Sequence, residues 1–112
     1  MAGATLEQYL LQQRDRIVAE LFAWLRIPSI SADPSHAAEV RESAAFCASL
    51  LSEAGLQNVA ILETPGAPAV YADWLHAGPE APTVVVYGHH DVQPVDPLDE
   101  WTSPPFLSLI HI

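Results

Sequence analysis

One short run constrains the fold of this chain more than any other feature. It is the apolar stretch Thr83–Tyr87, which Gly88, His89 and Asp91 follow within a few residues. A strand that is buried on both faces of a parallel sheet reads as such a continuous apolar run. In open α/β sheets, ligand sites lie just beyond the carboxyl ends of the strands. The run therefore predicts a central strand with a functional site at its end.

Two helices are predicted before this strand. Thr5 and Gln8 form a capping box, which starts a first helix that runs to about Arg26. Its wide apolar surface predicts burial on more than one side. An aspartate N-cap followed by proline starts a second helix at residues 33–34, which ends near Ala54 with Gly55 as a left-handed C-cap.

Two further strands are predicted between the second helix and the apolar run. Val59–Glu63 is the first, and the alternating segment Val70–Trp74 is the second. The order helix, helix, strand, strand, strand predicts an α/β protein, at the opening of a mixed sheet domain with helices on its faces.

Composition excludes several classes of partner. The chain has 112 residues, a formal net charge of −10 and only four basic residues, all arginine. Nucleic acids and anionic membrane surfaces both need basic residues, so neither is expected as a partner. The start of the chain lacks a basic, apolar signal peptide, and its single cysteine, Cys47, is expected to be a buried core residue. We therefore predict a cytoplasmic protein.

His89 and Asp91 suit a metal site. A neutral imidazole is a common zinc ligand, and its second ring nitrogen usually donates to a carboxylate. In extended backbone, residues two apart point to the same side, so Asp91 can orient His89 while His90 points away. Gly88 is expected to allow a tight turn or a close approach of the backbone. By spacing alone, ordinary polar residues explain the pair equally well.

The neighbouring residues add a specific resemblance. The stretch from Tyr87 to Phe106 contains Gly-His-His-Asp-Val-Gln-Pro and Asp-Glu-Trp-Thr-Ser-Pro-Pro-Phe, and Arg26–Ser31 reads Arg-Ile-Pro-Ser-Ile-Ser. Together these resemble the aminoacylase, carboxypeptidase and carnosinase-type zinc peptidases. The Asp-Val-Gln-Pro and Asp-Glu-Trp versions are similar to the dipeptidase branch.

The resemblance implies a function and a set of roles. His89 matches the family's metal-ligating histidine, and Asp91 matches the catalytic aspartate that orients it. The family uses two zinc ions bridged by water to hydrolyse dipeptide or N-acyl amide bonds, with manganese or cobalt as alternative metals. A homodimer is implied for the full-length parent.

The same resemblance implies that much of the site is missing. The family's other ligands, its glutamate base and its lid or dimerisation domain lie downstream of the motifs present in this chain. Residues 1–106 are therefore expected to be the N-terminal portion of the catalytic domain, inactive alone, and residues 107–112 a non-native or truncated tail. Four remaining acids and histidines are expected not to be ligands: Asp96, Asp99, Glu100 and His111.

Two alternatives stay open. One is a non-catalytic binding or interaction module that retains the fold. The other is an N-acyl-amino-acid deacylase of the same family. Because Thr83–Tyr87 and the first helix would expose apolar surface, we also expect the isolated chain to be marginally stable or oligomeric.

Overall fold

The computed structural model describes residues 3–107, in which helices and a small sheet alternate with long irregular segments. Two α-helices come first, α1 (Leu6–Leu25) and α2 (Ala37–Glu53), and two strands follow, β1 (Gln57–Leu62) and β2 (Ala69–Asp73). The α/β class is as predicted. The described residues form two compact units, one containing α1 and the segment from Pro97, the other spanning Ile27–Asp96.

The helix α1 begins with the predicted capping box. The Thr5 hydroxyl accepts a hydrogen bond from the Gln8 backbone N–H, and the Gln8 side chain accepts one from the Thr5 N–H. These bonds satisfy two of the backbone donors that a helix start leaves unpaired. No residue of α1 is buried, although its sequence predicts burial on more than one side. Leu6 and Leu11 are 74% and 69% exposed.

The helix α2 is preceded by a single 3-10 turn at Pro34–His36. The Asp33 carboxylate caps this turn by accepting from the Ser35 N–H at 2.9 Å. The predicted helix start is therefore correct for the helical segment as a whole, but regular α-helix begins only at Ala37. Gly55 has φ +90°, which is the left-handed conformation expected of a helix C-cap.

The strands β1 and β2 form an antiparallel hairpin that contacts α2. Their register pairs Gln57 with Asp73 but Ala60 with Tyr71, so β1 carries one extra residue, a bulge. Asn58 lies within the bulge at φ 52°. Its side-chain amide donates to the Asp73 carboxylate at 3.1 Å, which ties the bulge to the opposite strand.

The predicted third strand is wrong for the described part of the chain. Thr83–Tyr87 has no strand assignment, and Val84, Val85, Val86 and Tyr87 are 81–93% exposed. A strand exists only where its backbone has a partner, and no described residue pairs with this run. The buried core of the unit that spans Ile27–Asp96 lies elsewhere, at Ile27, Ile30, Val40 and Ala44.

The chain regains fixed structure just after the exposed run. Val92 forms an isolated parallel bridge with Ile30, in which the Val92 N–H donates to the Ser29 carbonyl at 3.0 Å. This bridge holds the segment that contains His89 and Asp91 against the loop that follows Arg26.

Candidate metal centre

The structure brings His89 and Asp91 together as predicted. His89 Nδ1 lies 2.9 Å from Asp91 Oδ1 and 3.0 Å from the Asp91 carbonyl oxygen. A carboxylate and a carbonyl only accept hydrogen bonds, so Nδ1 carries the proton in the neutral ring. The coordinating lone pair then lies on Nε2. The His89 side chain is 79% exposed, which leaves this nitrogen accessible.

The second oxygen of Asp91 is occupied from another part of the chain. The Ser31 hydroxyl donates a short hydrogen bond to Asp91 Oδ2. This bond is the main reason that the pKa of Asp91 lies below its ordinary value, and the hydrogen bond from His89 lowers the pKa further, against a partial burial that raises it. Asp91 is therefore held ionised and oriented by Ser31 on one side and by His89 on the other.

His90 faces different partners, as its alternation with His89 and Asp91 predicts. Its Nε2 lies 3.0 Å from the Pro68 carbonyl oxygen, and its Nδ1 lies 3.3 Å from the Ser43 hydroxyl. Its own carbonyl accepts from Ser43 at 2.6 Å and from Ser29 at 3.2 Å.

Ser29, Ser31 and Ser43 have no role that is predicted from the sequence. The first two belong to the Arg-Ile-Pro-Ser-Ile-Ser segment that carries part of the family resemblance, so a signal for them was present. Ser43 lies on the apolar stripe of α2, and no sequence pattern indicates a role for it.

The expectation for Gly88 is not met. Its φ lies outside the left-handed region, and a Cβ built on it would meet no heavy atom within 4 Å. Neither a left-handed turn nor a close contact in the described structure therefore requires glycine at this position.

The donor set suits one metal ligand. An imidazole with a carboxylate on Nδ1 is the usual arrangement of a zinc-binding histidine. Within residues 3–107, however, no three histidine, cysteine, aspartate or glutamate side chains lie together as a metal-binding group. A catalytic zinc ion takes about three protein ligands, so His89 would supply one part of a larger set.

The other candidate residues match their predictions only in part. Asp96, Asp99 and Glu100 are exposed, whereas His111 lies outside the described residues. The prediction that Cys47 is a buried core residue is corrected, since its side chain is only partly buried. This burial still raises the pKa of its thiol, so a reactive thiolate is disfavoured. Among residues 3–107, no helix is both long and apolar enough to cross a membrane.

Comparison with known proteins identifies relatives by sequence and by structure, but no family model. The Cys-Gly metallodipeptidase DUG1 of Saccharomyces cerevisiae is 30% identical over 116 residues, which is 90% of this chain and 24% of that protein. The solved structure of the dipeptidase Dug1p from the same yeast matches with a TM-score of 0.79 and 28% identity, over 88% of this chain and 23% of that one. The chain is therefore homologous to the N-terminal part of this yeast metallodipeptidase.

Two bacterial desuccinylases are also similar to part of this chain. A succinyl-diaminopimelate desuccinylase of Herminiimonas arsenicoxydans is 45% identical over 47 residues, 42% of this chain and 12% of that protein. Another, from Dechloromonas aromatica, is 58% identical over 33 residues, 30% of this chain and 9% of that protein. The family resemblance found in the sequence is thereby confirmed.

The metallodipeptidase match also bears on the fold. The described helices and hairpin correspond to the N-terminal part of that α/β fold. The chain spans about a quarter of the length of the yeast dipeptidase, at 24%. Its relatives are hydrolases, and the metallodipeptidase name implies a divalent metal in that protein.

Proposed function

We propose that this chain forms the N-terminal part of a metal-dependent peptidase that hydrolyses dipeptides, in which His89 is a metal ligand and Asp91 orients it. The observation that carries the proposal is the hydrogen bond of 2.9 Å between His89 Nδ1 and Asp91 Oδ1. It occupies one ring nitrogen and leaves the exposed one for a metal ion. The homology to a Cys-Gly metallodipeptidase supports the substrate class.

The residues of this chain would prepare the ligand. The Asp91 carboxylate accepts a hydrogen bond from Nδ1–H, which fixes the tautomer and makes Nε2 a better electron donor. The Ser31 hydroxyl holds the opposite oxygen of the same carboxylate, so the carboxylate cannot rotate away without breaking that bond. A bound divalent ion supplies polarisation of the scissile carbonyl and a lowered pKa for a bound water.

The remaining parts of the site would come from outside the described residues. In line with the resemblance, we infer two zinc ions, a glutamate as the general base, and further ligands beyond residue 106. We propose a cytoplasmic enzyme, homodimeric in its complete form, that acts on a dipeptide or N-acyl amino acid.

The decisive experiment uses the complete protein that contains this chain. After removal of metal with a chelator, hydrolysis of Cys-Gly is expected to stop and to return when Zn²⁺ is added. His89→Ala is expected to lower kcat/KM by at least about 100-fold, because loss of a direct ligand should cost more than the loss of a residue that only orients a ligand, which typically costs about 10- to 100-fold. His76→Ala is the matched control, because His76 is exposed and its contacts within the described residues are with Gln57 Oε1, at 2.7 Å, and with the ring of Trp74, neither of which belongs to the candidate site.

Three outcomes would contradict the proposal. They are activity that persists in the chelator, a His89→Ala variant as active as His76→Ala, and dipeptide turnover by residues 1–112 alone. The last would show that the chain contains a full ligand set.

Deacylation is the second candidate function, favoured by the desuccinylase identity of 45% over 47 residues. The same purified protein would then cleave an N-succinyl amino acid with a higher kcat/KM than Cys-Gly. A complete protein that cleaves neither substrate with metal present would instead support a non-catalytic binding module.

A further inference from the structure

Two buried hydroxyl groups hold one backbone carbonyl beside the candidate ligand. Ser43 is 0% exposed and Ser29 is 1% exposed, and both donate to the carbonyl oxygen of His90, at 2.6 Å and 3.2 Å. A carbonyl oxygen has two lone pairs, and here both are used. The peptide group between His90 and Asp91 is therefore fixed in direction.

The His90 side chain adds a second attachment. Its Nε2 lies 3.0 Å from the carbonyl oxygen of Pro68, a buried residue just before β2. Because that oxygen only accepts, Nε2 must carry a proton. Nδ1 lies 3.3 Å from the Ser43 oxygen, whose single proton is already donated to the His90 carbonyl, so this approach is a contact and the ring lies between α2 and the segment that leads into β2.

A third attachment lies on the far side of Asp91. The Val92 N–H donates to the Ser29 carbonyl at 3.0 Å. The residues before and after Asp91 are thus both attached to Ser29, and the backbone of Asp91 has little freedom to turn.

We infer that Ser43 and His90 are positioning residues. They act through the backbone on the candidate ligand His89 and on its partner Asp91. In extended chain, neighbouring side chains point to opposite sides, so fixing the ring and carbonyl of His90 sets the side to which the pair points. A metal site needs its ligands held within about 0.5 Å of their working positions. The inference rests on the proposed function for the role of His89, but its test needs no metal and no substrate.

The first measurement concerns the tautomers of two adjacent histidines. In the 112-residue chain at pH 8, long-range ¹H–¹⁵N correlation spectra are expected to show the proton on Nδ1 of His89 and on Nε2 of His90. Such opposite tautomers follow from the Asp91 and Pro68 acceptors. The same tautomer at both residues would overturn the inference, whether or not the complete protein is a peptidase.

The second measurement separates positioning from packing. Ser43→Ala is expected to lower the ratio of Nδ1–H to Nε2–H tautomer at His89 by about threefold, the effect of losing part of one hydrogen bond. Ser49→Ala is the matched control, since Ser49 lies on the exposed face of α2 and donates within the helix to Phe46. A wild-type ratio at His89 in a folded Ser43→Ala variant would show that Ser43 only fills space.

A third variant covers the case in which Ser43→Ala does not fold. Ser29→Ala removes the longer of the two bonds to the same carbonyl, and we expect a smaller shift at His89 in the same direction. An unchanged ratio in that folded variant would overturn the inference equally. Opposite tautomers at His89 and His90, together with a complete protein that hydrolyses no dipeptide, would count against the proposed function alone.

Discussion

Two neighbouring segments of this chain contrast sharply, the apolar run Thr83–Tyr87 and the polar segment His90–Val92. The apolar run is at least 81% exposed from Val84 to Tyr87. The polar segment is held by two serine hydroxyls, a proline carbonyl and a parallel bridge. Apolar composition alone therefore does not bury a segment, because burial requires a surface that matches it.

The two helices also show that burial of an apolar surface depends on a matching partner. Each carries an apolar stripe, yet α2 buries Val40, Ser43 and Ala44, whereas α1 buries no residue. The helix α2 contacts both strands of the hairpin, and Arg41 pairs with Glu63 of the segment just after β1 through two bonds of 2.7 Å and 2.9 Å. The N-terminal part of the α2 stripe is buried because the chain supplies a sheet for it.

The largest expected difference is between the effects on stability of truncating a buried and an exposed valine. Val40 is 4% exposed and Val85 is 85% exposed. Val40→Ala is expected to lower the free energy of unfolding by about 2 kcal/mol through lost burial and a small cavity. Val85→Ala is expected to change it by less than about 0.5 kcal/mol. Urea unfolding of both variants measures the difference. Equal losses of unfolding free energy in the two variants would show that Thr83–Tyr87 is buried in solution. Association of two chains could cause such burial.

A smaller effect is expected at the anchored segment. Ser43→Ala is expected to lower the free energy of unfolding by about 1 kcal/mol, the net contribution of one hydrogen bond. The loss stays small because Ser29 still donates to the same carbonyl. Ser49→Ala, an exposed change on the same helix, is expected to cause no loss. If the two variants unfold at the same urea concentration, the anchoring of His90–Val92 contributes nothing to stability.

The smallest effect concerns the titration of Asp91. Ser31→Ala is expected to raise the pKa of Asp91 toward its ordinary value of 3.8, because the main hydrogen bond to its carboxylate is lost. In the wild type, the depressed pKa stabilises the folded chain above pH 3.8, and this contribution disappears as the pH falls through the folded-state pKa. An NMR titration of the Asp91 carboxyl carbon measures the change. Ser35→Ala, whose hydroxyl contacts Asp33 instead, is expected to leave this titration unaltered.

The sequence alone determined the features that depend on near neighbours. The capping box at Thr5 and Gln8, the left-handed Gly55 and the pairing of His89 with Asp91 each involve residues at most three apart or a single backbone angle. Side-chain chemistry and spacing are sufficient for such contacts. The same local motif carried the family resemblance that the yeast dipeptidase confirms.

Only the tertiary structure decided which distant groups complete the site. Ser31 meets Asp91 across 60 residues, and Ser43 meets His90 across 47. Such contacts depend on which elements approach one another, and the residue types give no sign of that. The same reason explains the wrong prediction at Thr83–Tyr87, since its apolar sequence fits a central strand but only a paired backbone makes one. The sequence thus determined the pairing of His89 with Asp91, and the fold determined how firmly that pair is held.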